Sequence, residues 1–490
     1  MKVLFASSEC APIFKTGGLG DVTGALPKEL AKNPDMQVAV ILPYYKYGIA
    51  EHYKAHMKDE FWDYVNVGWR HEYVGVKSLV QDNVTYYFLD NENYFGRDEI
   101  YGYGDDGERW AFFCLAIAQL IERLAFVPDI LHVNDCHTAM LPFLLKEKYQ
   151  WINAYRDIKT VLTIHNIEFQ GIMQGSALSE LFGMGMERYH EGVVRHNDML
   201  NSLKTGILYA DRVNTVSPTY AQEIQTPEFG CGLDPILRYV FDKLVGIVNG
   251  IDYDVYNPAT DKWIEHHFSS SDLKGKAKMK QALQERVGLP KAVDKPLIGI
   301  VSRLTTQKGF DLVLERMDNI LSQDVQVVIL GTGYTDIEQG FRHFSEKYPE
   351  KCAAIISFDL KLAQEIYAAS DFFLMPSAFE PCGLSQMIAM RYGTLPIVHE
   401  IGGLKDTVQP YNSYTTEGTG FGFVDFIGQV LVDTINQALN LYASEPDIIQ
   451  KLRVRTMKQD FSWKTKAEQY IHLYQEIIQR KRVCLSENLS

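Results

Sequence analysis

Residues 15–21 read Lys-Thr-Gly-Gly-Leu-Gly-Asp and follow the short apolar run Val3-Leu4-Phe5-Ala6. The run is typical of a buried parallel strand, and a helical pattern extends from about residue 19 to residue 30. A strand, a glycine-rich turn and a helix in this order bring backbone N–H groups, a helix dipole and the Lys15 ammonium to one point. The stretch predicts an α/β fold with an anion site here, and the alternative interpretation is a strand-to-helix turn that binds no ligand.

A dinucleotide-binding enzyme is disfavoured by the spacing of these glycines. Gly17, Gly18 and Gly20 do not form the G-x-G-x-x-G pattern. The next apparent strand, residues 38–42, is followed by Pro43, where such enzymes carry an acidic residue that binds the ribose. We therefore expect no nicotinamide and no other cofactor.

The composition is that of a soluble globular protein with more than one domain. The chain has 490 residues, 46% of them hydrophobic and 22% charged, which suggests two or three domains. Its longest apolar stretch, residues 111–121, is too short to span a bilayer, and the first strand begins at Lys2, which leaves no room for a signal peptide. Seven cysteines without a Cys-x-x-Cys pair suit a reducing compartment. We expect a cytoplasmic protein without a membrane partner.

The charge of the chain bears on its partners. A formal net charge of −14 makes nucleic acid an unfavourable partner, because binding to backbone phosphates needs a basic surface. An anionic small substrate would need a few well-placed cations, whereas a neutral polymer would be indifferent to the charge. Charge alone leaves both of these partner classes open.

Short apolar runs alternate with amphipathic stretches along almost the whole chain, a pattern typical of strands and crossover helices in parallel sheets. The predicted strands are residues 2–7, 38–42, 85–89, 130–134, 161–165, 213–216 and 245–248 in the first half, and 297–301, 325–330, 354–358, 372–375 and 395–398 in the second. Predicted helices include residues 108–124 and 139–148. The pattern predicts two doubly wound parallel-sheet domains, residues 1–252 and 253–460, that face each other across a cleft and are followed by a segment 461–490.

Charged residues of the second half follow two of the predicted strands. Arg303 and Lys308 lie across a strand-to-helix turn, and this spacing lets both reach one diphosphate. Glu380 follows another strand and precedes Gly383 and Leu384, whose N–H groups start a helical pattern. A carboxylate beside an anion site suits sugar hydroxyls or a developing oxocarbenium charge. The alternatives are a solvated pair of cations for Arg303 and Lys308 and a capping carboxylate for Glu380.

Polar residues of the first half also follow strands. His165 and Asn166 end the strand 161–165, while Asp135 and His137 come after the strand 130–134. A single histidine at a strand end is more often a structural residue than a catalyst, and we favour that interpretation for His137. Asp135 and His137 alone are too few to hold a metal ion. The aromatic residues between 61 and 73 and between 86 and 110 could stack on sugar rings, but we favour packing in a core.

Six ordered segments of the chain resemble the bacterial glycogen synthases and plant starch synthases of glycosyltransferase family five. They are Lys15-Thr-Gly-Gly-Leu-Gly-Asp-Val22, His165-Asn166 with Gln170-Gly171, Val248-Asn-Gly-Ile-Asp252, Ser302-Arg-Leu304 with Gln307-Lys-Gly309, Glu380-Pro-Cys-Gly-Leu384, and Gly402-Gly-Leu404 with Asp406-Thr-Val408. The resemblance implies a GT-B fold of two Rossmann-like domains, with a carboxy-terminal helix, residues 463–480, that crosses back onto the first domain. It also implies a hexosyltransferase that moves glucose from ADP-glucose to the non-reducing end of an α-1,4-glucan, such as glycogen, with retention of configuration.

The resemblance assigns roles to residues of this chain. Arg303 and Lys308 hold the diphosphate, Glu380 contacts the glucosyl hydroxyls, and His165 lies beside the transferred sugar; these four are the predicted catalytic residues. The predicted substrate-binding residues are Lys15, Gly17, Gly18, Asp21, Asp135, Asn166, Asn249, Phe358, Cys382, Gly383, Leu384 and Ser385. Among them Lys15, Gly17 and Gly18 complete the phosphate and sugar site when the domains close, and Phe358 stacks on adenine.

The chain departs from the family pattern at a few positions. Residues 132–137 read His-Val-Asn-Asp-Cys-His where the family more often has His-x-His-Asp-Trp-His. Glu400 and Lys405 flank the Gly-Gly-Leu segment where arginine and alanine are usual, Ser385 replaces threonine, and Ala378 replaces a common arginine. None of these changes removes a predicted phosphate ligand, but those at Glu400 and Lys405 affect the expected contacts of the acceptor or the nucleotide.

Other functions remain open alternatives. The chain could be another retaining GT-B glucosyltransferase that uses UDP-glucose or a small acceptor, or an inactive scaffold that binds glucan. A glucan phosphorylase would need a lysine pocket for pyridoxal phosphate and normally a much longer chain. Asp252-Tyr253-Asp254 has the Asp-x-Asp form of metal-dependent glycosyltransferases, but we expect no metal because cations and N–H groups already offset the diphosphate charge. The oligomeric state is left open.

Overall fold

A computed structural model describes residues 1–487 of the backbone and side chains as far as residue 479. The chain divides into two compact units. The first unit contains residues 1–249 and the segment that begins at Trp463, and the second contains Gly250–Ser462. Each unit is built on its own sheet. The predicted α/β class with a GT-B arrangement of parallel-sheet domains is confirmed.

The first unit is organised around a mixed sheet. Its strands are β1 (Lys2–Ala6), β2 (Gln37–Pro43), β3 (Lys58–Val67), β4 (Arg70–Gln81), β5 (Val84–Asp90), β6 (Ile130–Asn134), β7 (Lys159–Ile164), β8 (Ile172–Gln174), β9 (Arg195–His196), β10 (Met199–Asn201), β11 (Arg212–Thr215) and β12 (Leu244–Gly246). The sheet has the order β12-β11-β7-β6-β1-β2-β5-β4-β3, while β8, β10 and β9 form a small separate sheet. Strands β1, β6 and β7 are parallel neighbours, so the residues that follow them meet at one edge of the sheet.

Helices cover the sheet of the first unit. They are α1 (Gly18–Leu30), α2 (Glu51–Lys54), α3 (Glu92–Phe95), α4 (Asp106–Leu120), α5 (Asp135–Thr138), α6 (Leu141–Glu147), α7 (Ala177–Glu180), α8 (Glu187–His190), α9 (Ser202–Tyr209), α10 (Pro218–Glu223) and α11 (Asp234–Tyr239), with 3-10 turns at Asn153–Tyr155 and Phe241–Lys243. Helix α4 buries nearly every residue from Ala111 to Leu120, which explains why this stretch is apolar on all sides.

The sheet of the second unit is parallel throughout. Its strands are β13 (Leu297–Val301), β14 (Gln326–Leu330), β15 (Cys352–Ile355), β16 (Phe372–Met375), β17 (Leu395–His399) and β18 (Phe421–Phe423), in the order β15-β14-β13-β16-β17-β18. Its helices are α12 (Lys274–Arg286), α13 (Phe310–Glu315), α14 (Met317–Ser322), α15 (Thr335–Lys347), α16 (Leu360–Ala369), α17 (Ser385–Arg391), α18 (Gly402–Thr407), α19 (Gly428–Ser444) and α20 (Pro446–Met457). The strand order reverses between β13 and β16, so the crevice beyond their carboxyl ends is the expected place for a ligand.

The last helix, α21 (Trp463–Glu487), returns to the first unit. Its Tyr474 hydroxyl lies 2.7 Å from Nδ1 of His132, and its Tyr470 hydroxyl accepts a hydrogen bond of 2.9 Å from Asn214 Nδ2. Both tyrosines are buried. The helix is therefore part of the core of the first unit.

The main difference from the predicted elements is the hairpin of β3 and β4, which the sequence analysis left out. Inward-facing Val65, Val67, Val74 and Val76 are buried, while Trp62, Tyr64 and Tyr73 are exposed. The preference for a core position is therefore wrong for these three aromatic residues and for Trp69, which is also exposed, although Tyr86, Tyr94 and Phe95 are buried. Across residues 1–487, no helix is long and apolar enough to cross a membrane.

Candidate active site

A cavity of about 190 Å³ lies in the second unit beyond the carboxyl ends of β13 and β16. The residues that line it are Val301, Ser302, Arg303, Lys308, Phe310, Leu374, Met375, Ser377, Glu380, Gly383, Leu384 and Ser385. The predicted residues Arg303, Lys308 and Glu380 therefore lie around one space, as expected for residues that follow neighbouring parallel strands. Gly383, Leu384 and Ser385 line the same space, whereas Phe358 stands on the loop after β15 with its ring exposed to solvent.

The backbone brings Lys308 to Glu380 through a close contact between two loops. Gly309 has φ of 74°, and a Cβ there would lie 1.9 Å from the carbonyl oxygen of Pro376, so only glycine allows this approach. The N–H of Ala378 donates a hydrogen bond of 3.0 Å to the carbonyl of Gln307. The loop after β13 is thereby fixed against the loop after β16.

Lys308 and Glu380 form an ion pair on this scaffold. Nζ of Lys308 lies 2.6 Å from Oε2 of Glu380, and Oγ of Ser377 donates to the same oxygen at 3.0 Å. The Glu380 side chain is 7% exposed and that of Lys308 is 17% exposed. Each charge is held in place by the other and is largely shielded from water.

Arg303 differs from Lys308 in having no internal partner. It is exposed at the rim of the cavity, and within the described part of the chain its guanidinium makes neither an ion pair nor a hydrogen bond. A planar guanidinium in this position can offer two parallel N–H donors to an anion. The cavity therefore combines one unpaired cation with one paired cation.

The loop that carries Glu380 is supported from two sides. Gly383 has φ of 72°, and the amide of Gln386 donates to the carbonyls of Cys382 and Gly383 at 3.0 and 2.9 Å. The N–H of Gly403 donates to the carbonyl of Glu380 at 3.1 Å, and a Cβ at Gly403 would lie 2.1 Å from the carbonyl oxygen of Cys382. The Gly-Gly-Leu segment is thus a backbone support for this loop.

Ser385 closes the same turn. Its Oγ accepts a hydrogen bond of 3.0 Å from the hydroxyl of Tyr367. Burial raises the pKa of Tyr367 to about 12, so this tyrosine remains a donor at neutral pH.

The glycine-rich stretch of the first unit is arranged around a carboxylate of the same unit. Oε2 of Glu9 accepts hydrogen bonds from the N–H groups of Thr16 and Gly17 at 2.6 and 2.9 Å. The prediction that these loop N–H groups form an anion site is therefore corrected for these two donors, because Glu9 already occupies them. Lys15 is exposed and pairs with Asp21 at 2.5 Å.

Gly17 and Gly18 leave the surface of this stretch open. An added Cβ would meet no atom within 4 Å at either position. The two glycines border solvent at the start of α1, and their lack of side chains keeps the backbone accessible.

Asp135 connects the ends of two neighbouring strands in the first unit. It follows β6 with φ of 54°, and its Oδ1 accepts a hydrogen bond of 2.7 Å from the N–H of His165 at the end of β7. Burial raises the pKa of Asp135 to about 7, and hydrogen bonds from the N–H groups of His165 and Asn166 oppose that rise. The predicted residues Asp135, His165 and Asn166 thus come together at the carboxyl edge of the sheet.

The two histidines near this edge are held as neutral rings. Nε2 of His165 lies 3.0 Å from Oδ1 of Asn134, and burial lowers the pKa of His165 to about 3. His137 stacks on Tyr101 at 4.8 Å between ring centroids, and burial lowers its pKa to about 4. The contacts of His137 agree with the structural interpretation that we favoured.

Asn249 and the Asp-x-Asp triplet lie near the junction of the units. Oδ1 of Asn249 is buried and has no hydrogen-bond partner among the described residues. Asp252 uses its carboxylate to accept from the N–H of Asp254 at 2.8 Å, as in a local turn. In the described part of the chain, no three histidine, cysteine, aspartate or glutamate side chains are grouped to hold a metal ion.

Comparison with known proteins covers the whole chain. A family model described as the starch synthase catalytic domain matches residues 2–239, and one described as glycosyl transferases group 1 matches residues 282–455. The chain is 70% identical to the glycogen synthase of Lactococcus lactis subsp. lactis (strain IL1403) over 478 residues, which cover 97% of this chain and 100% of that protein. The chain belongs to the glycogen and starch synthase family.

Other members of the glycogen and starch synthase family support this assignment. The glycogen synthase of Streptococcus gordonii (strain Challis) is 60% identical over 98% of this chain and 100% of its own length. The catalytic domain of starch synthase IV from Arabidopsis thaliana, in a structure described as bound to ADP and acarbose, has a TM-score of 0.90 at 32% identity, with 98% of this chain and 99% of that one covered. Sucrose-phosphate synthase from Thermosynechococcus elongatus, with a TM-score of 0.62 at 15% identity over 98% of this chain and 99% of that one, shows a likeness of fold alone and does not bear on the family.

Glu9, like Ser377, is not among the predicted site residues. Its carboxylate also accepts from the hydroxyl of Tyr101 at 2.6 Å, which in turn lies 2.7 Å from Oγ of Ser8. In this member of the glycogen and starch synthase family, Glu9 therefore joins the glycine-rich stretch to the loop that carries Tyr101. The available signal is an acidic residue in the loop that follows a buried strand, and the same signal points to Glu380.

Proposed function

We propose that this chain is a glycogen synthase that transfers glucose from ADP-glucose to the non-reducing end of an α-1,4-glucan, with retention of configuration. Its full-length relatives are glycogen synthases, and the starch synthase IV structure is described with ADP bound. The observation that carries the proposal is the grouping of Arg303, Lys308 and Glu380 around one cavity of the second unit. The two cations suit the negative charge of a diphosphate, and the carboxylate suits the hydroxyls of a glucosyl group.

The cations of the cavity would act on the donor. As the bond between C1 of glucose and the diphosphate oxygen breaks, its electron pair moves to the diphosphate, and negative charge grows there. Arg303 would hold the diphosphate through its planar N–H groups, and Lys308 would stabilise the growing charge. Lys308 has three N–H donors, so it can keep its bond to Glu380 while it binds phosphate oxygen.

Glu380 and its loop would bind the sugar. One carboxylate oxygen is bonded to Lys308 and Ser377, and the other is available to glucosyl hydroxyls in this arrangement. The negative charge of Glu380 also stabilises positive charge that develops on the sugar ring. Cys382, Gly383, Leu384 and Ser385 would complete the donor site, and Phe358 would stack on the adenine.

Residues of the first unit would bind the sugar and acceptor. Asp135 fixes the backbone of His165 and Asn166, and we assign these three to the sugar side. The remaining assignments are Lys15 and Gly18 to the phosphate and sugar, with Gly17 beside them as open backbone whose N–H is held by Glu9, and Asp21 and Asn249 to the sugar and acceptor side. The proposed roles of the units are an acceptor-side domain, residues 1–252, and a nucleotide-sugar domain, residues 253–460.

The proposal is tested with the purified full-length chain, glycogen and glucose-labelled donors. We expect label from ADP-glucose to enter glycogen as α-1,4-linked residues, with much slower transfer from UDP-glucose and with transfer slowed by about 10²–10³ in a Glu380→Gln variant. Preference for UDP-glucose would assign a different donor, and glycogen binding without transfer would indicate a scaffold. The reaction should persist after dialysis against EDTA; a loss that manganese or magnesium restores would make Asp252 and Asp254 metal ligands.

A further inference from the structure

Four aromatic side chains lie on the outer face of the β3–β4 hairpin, and we call them the aromatic platform: Trp62 and Tyr64 on β3, and His71 and Tyr73 on β4. Tyr64 pairs directly with Tyr73 across the two strands, and Trp62 pairs with Gly75. Trp62 is 61% exposed, Tyr64 42% and Tyr73 44%, and His71 is also exposed. A cluster of exposed rings on one rigid face is a typical property of a binding surface.

The rings of the platform contact one another in stacked and edge-on pairs. The ring centroids of Trp62 and Tyr73 are 6.5 Å apart with planes inclined by 27°, and those of Tyr64 and His71 are 4.5 Å apart with planes inclined by 14°. Trp62 meets Tyr64 edge-on at 5.8 Å. Gly75 permits this layout, because a Cβ there would lie 2.7 Å from the hydroxyl of Tyr73.

The hairpin that carries the platform is fixed to the rest of the first unit. Its inward-facing valines are buried, and the amide of Gln119 on α4 donates a hydrogen bond of 2.8 Å to the carbonyl of Tyr64. The turn of the hairpin is also fixed, since the N–H of Gly68 donates to the carbonyl of Leu181 at 2.8 Å. The rings are therefore presented by a rigid sheet.

The chemistry of the face favours a neutral, hydroxyl-rich partner. Aromatic faces carry partial negative charge and attract the C–H groups of a sugar ring, while the amide of Asn66, 2.8 Å from His71 Nδ1, and the tyrosine hydroxyls can bond sugar hydroxyls. The chain has a net charge of −14, which disfavours a polyanion. Exposed Lys58, Asp59 and Glu60 on the edge strand β3 disfavour the addition of a strand from another protein.

We propose that the aromatic platform is a second binding site for α-1,4-glucan, apart from the residues assigned to glucose transfer. The platform lies on β3 and β4, whereas those residues of the first unit follow β1, β6, β7 and β12, with β2 and β5 between them and the platform. The inference rests on the proposed function for the identity of the polymer. A long glucan held at a second point raises the local concentration of chain ends, so the platform increases the affinity for polymer and leaves short acceptors unaffected.

The test compares full-length variants in their binding to glycogen, measured by affinity electrophoresis, and in their kinetics. We expect Trp62→Ala with Tyr73→Ala to raise the dissociation constant for glycogen by about tenfold or more, because each stacked ring contributes up to about tenfold. The KM values for ADP-glucose and for a short maltooligosaccharide should not change. Trp62→Tyr keeps a ring and should retain most of the binding, and Trp151→Ala, which removes an exposed ring elsewhere in the first unit, should have no effect.

Three outcomes separate the possibilities. Unchanged glycogen binding in the double variant, with an unchanged thermal midpoint, overturns the platform. A shift from dimer to monomer in sedimentation velocity, with glycogen binding intact, assigns the face to a second copy of the chain and also overturns it. If the wild-type protein transfers no glucose, but the double variant still binds glycogen more weakly than wild type, the proposed function fails while the platform stands.

Discussion

Replacing Lys308 by methionine removes the cation that neutralises the buried carboxylate of Glu380. Among the described side chains, the hydroxyl of Ser377 then remains as a hydrogen-bond donor to that carboxylate. Breaking a fully buried ion pair by removing one partner costs about 3–5 kcal/mol. Because Lys308 is 17% exposed, water reaches this pair, and we expect the smaller loss of about 1–3 kcal/mol in the free energy of unfolding.

A matched control exists on the surface of the same unit. Lys347 and Asp318 are also separated by 2.6 Å, but their side chains are 43% and 57% exposed. Lys347→Met should therefore change the free energy of unfolding much less than Lys308→Met does. Urea denaturation followed by tryptophan fluorescence gives the shifts of both variants relative to wild type.

The neighbouring substitution separates stability from chemistry. Glu380→Gln keeps the volume of the side chain and an oxygen that accepts from Lys308, so we expect little loss of stability. Turnover should nevertheless fall by about 10²–10³, as typically follows the loss of one preorganised electrostatic contact. Steady-state release of ADP from ADP-glucose, with glycogen as acceptor, measures this fall.

The double variant Lys308→Met with Glu380→Gln decides between the two effects. It leaves no buried charge without a partner, so its stability should recover to within about 1 kcal/mol of wild type while its turnover stays as low as that of either single variant. Turnover above one tenth of wild type in Glu380→Gln would refute the assignment of this pair to the reaction. Equal destabilisation by Lys308→Met and Lys347→Met would refute the argument from burial.

Two further substitutions test the first unit. Glu9→Gln weakens the hydrogen bonds that Thr16 and Gly17 donate to this side chain. We expect it to raise the KM for ADP-glucose about tenfold with only a small change in thermal midpoint, whereas the control Glu29→Gln on α1 should leave the KM unchanged. Equal KM values for the two variants would deny Glu9 a positioning role. The pKa of Asp135 is raised from 3.8 to about 7, so the folded chain binds this proton more tightly and loses stability as pH rises from about 4 to 7. Asp135→Asn should gain thermal stability relative to wild type between pH 5 and pH 8 in calorimetry, and a pH-independent difference would contradict this.

The elements that could be predicted from sequence are those buried on both faces. Strands β1, β13 and β16 are short apolar runs, because helices cover them on either side. The hairpin of β3 and β4 has one wet face, and its exposed positions hold aromatic residues instead of the usual polar ones. The sequences of β3 and β4 therefore lack the clear alternation of apolar and polar residues that predicts a half-exposed strand, and their pattern favours a core position for Trp62 and Tyr73.

The same distinction applies to the candidate site. Arg303, Lys308 and Glu380 could be predicted because parallel strands end at one edge of a sheet, so residues after β13 and β16 must meet. The role of Glu9 depends on Tyr101, which is 92 residues away in sequence, and on loop geometry that no local pattern specifies. Sequence spacing thus located the charges near the cavity but not the carboxylate that occupies the N–H groups of the glycine-rich stretch.

The two units use carboxylates in a related way. In the second unit Glu380 fixes the ammonium of Lys308, and in the first unit Glu9 fixes the backbone that carries Lys15. A carboxylate reduces the net positive charge that an incoming diphosphate meets, which lowers the affinity for anions in general. It also removes the conformational freedom of the cation before the substrate arrives, so less ordering remains to be done upon binding. On the proposed assignments, the Lys308–Glu380 pair would favour selectivity over affinity. A free phosphate would gain little from a half-neutralised cation, whereas a donor whose glucosyl hydroxyls also bonded Glu380 would gain from both charges of the pair.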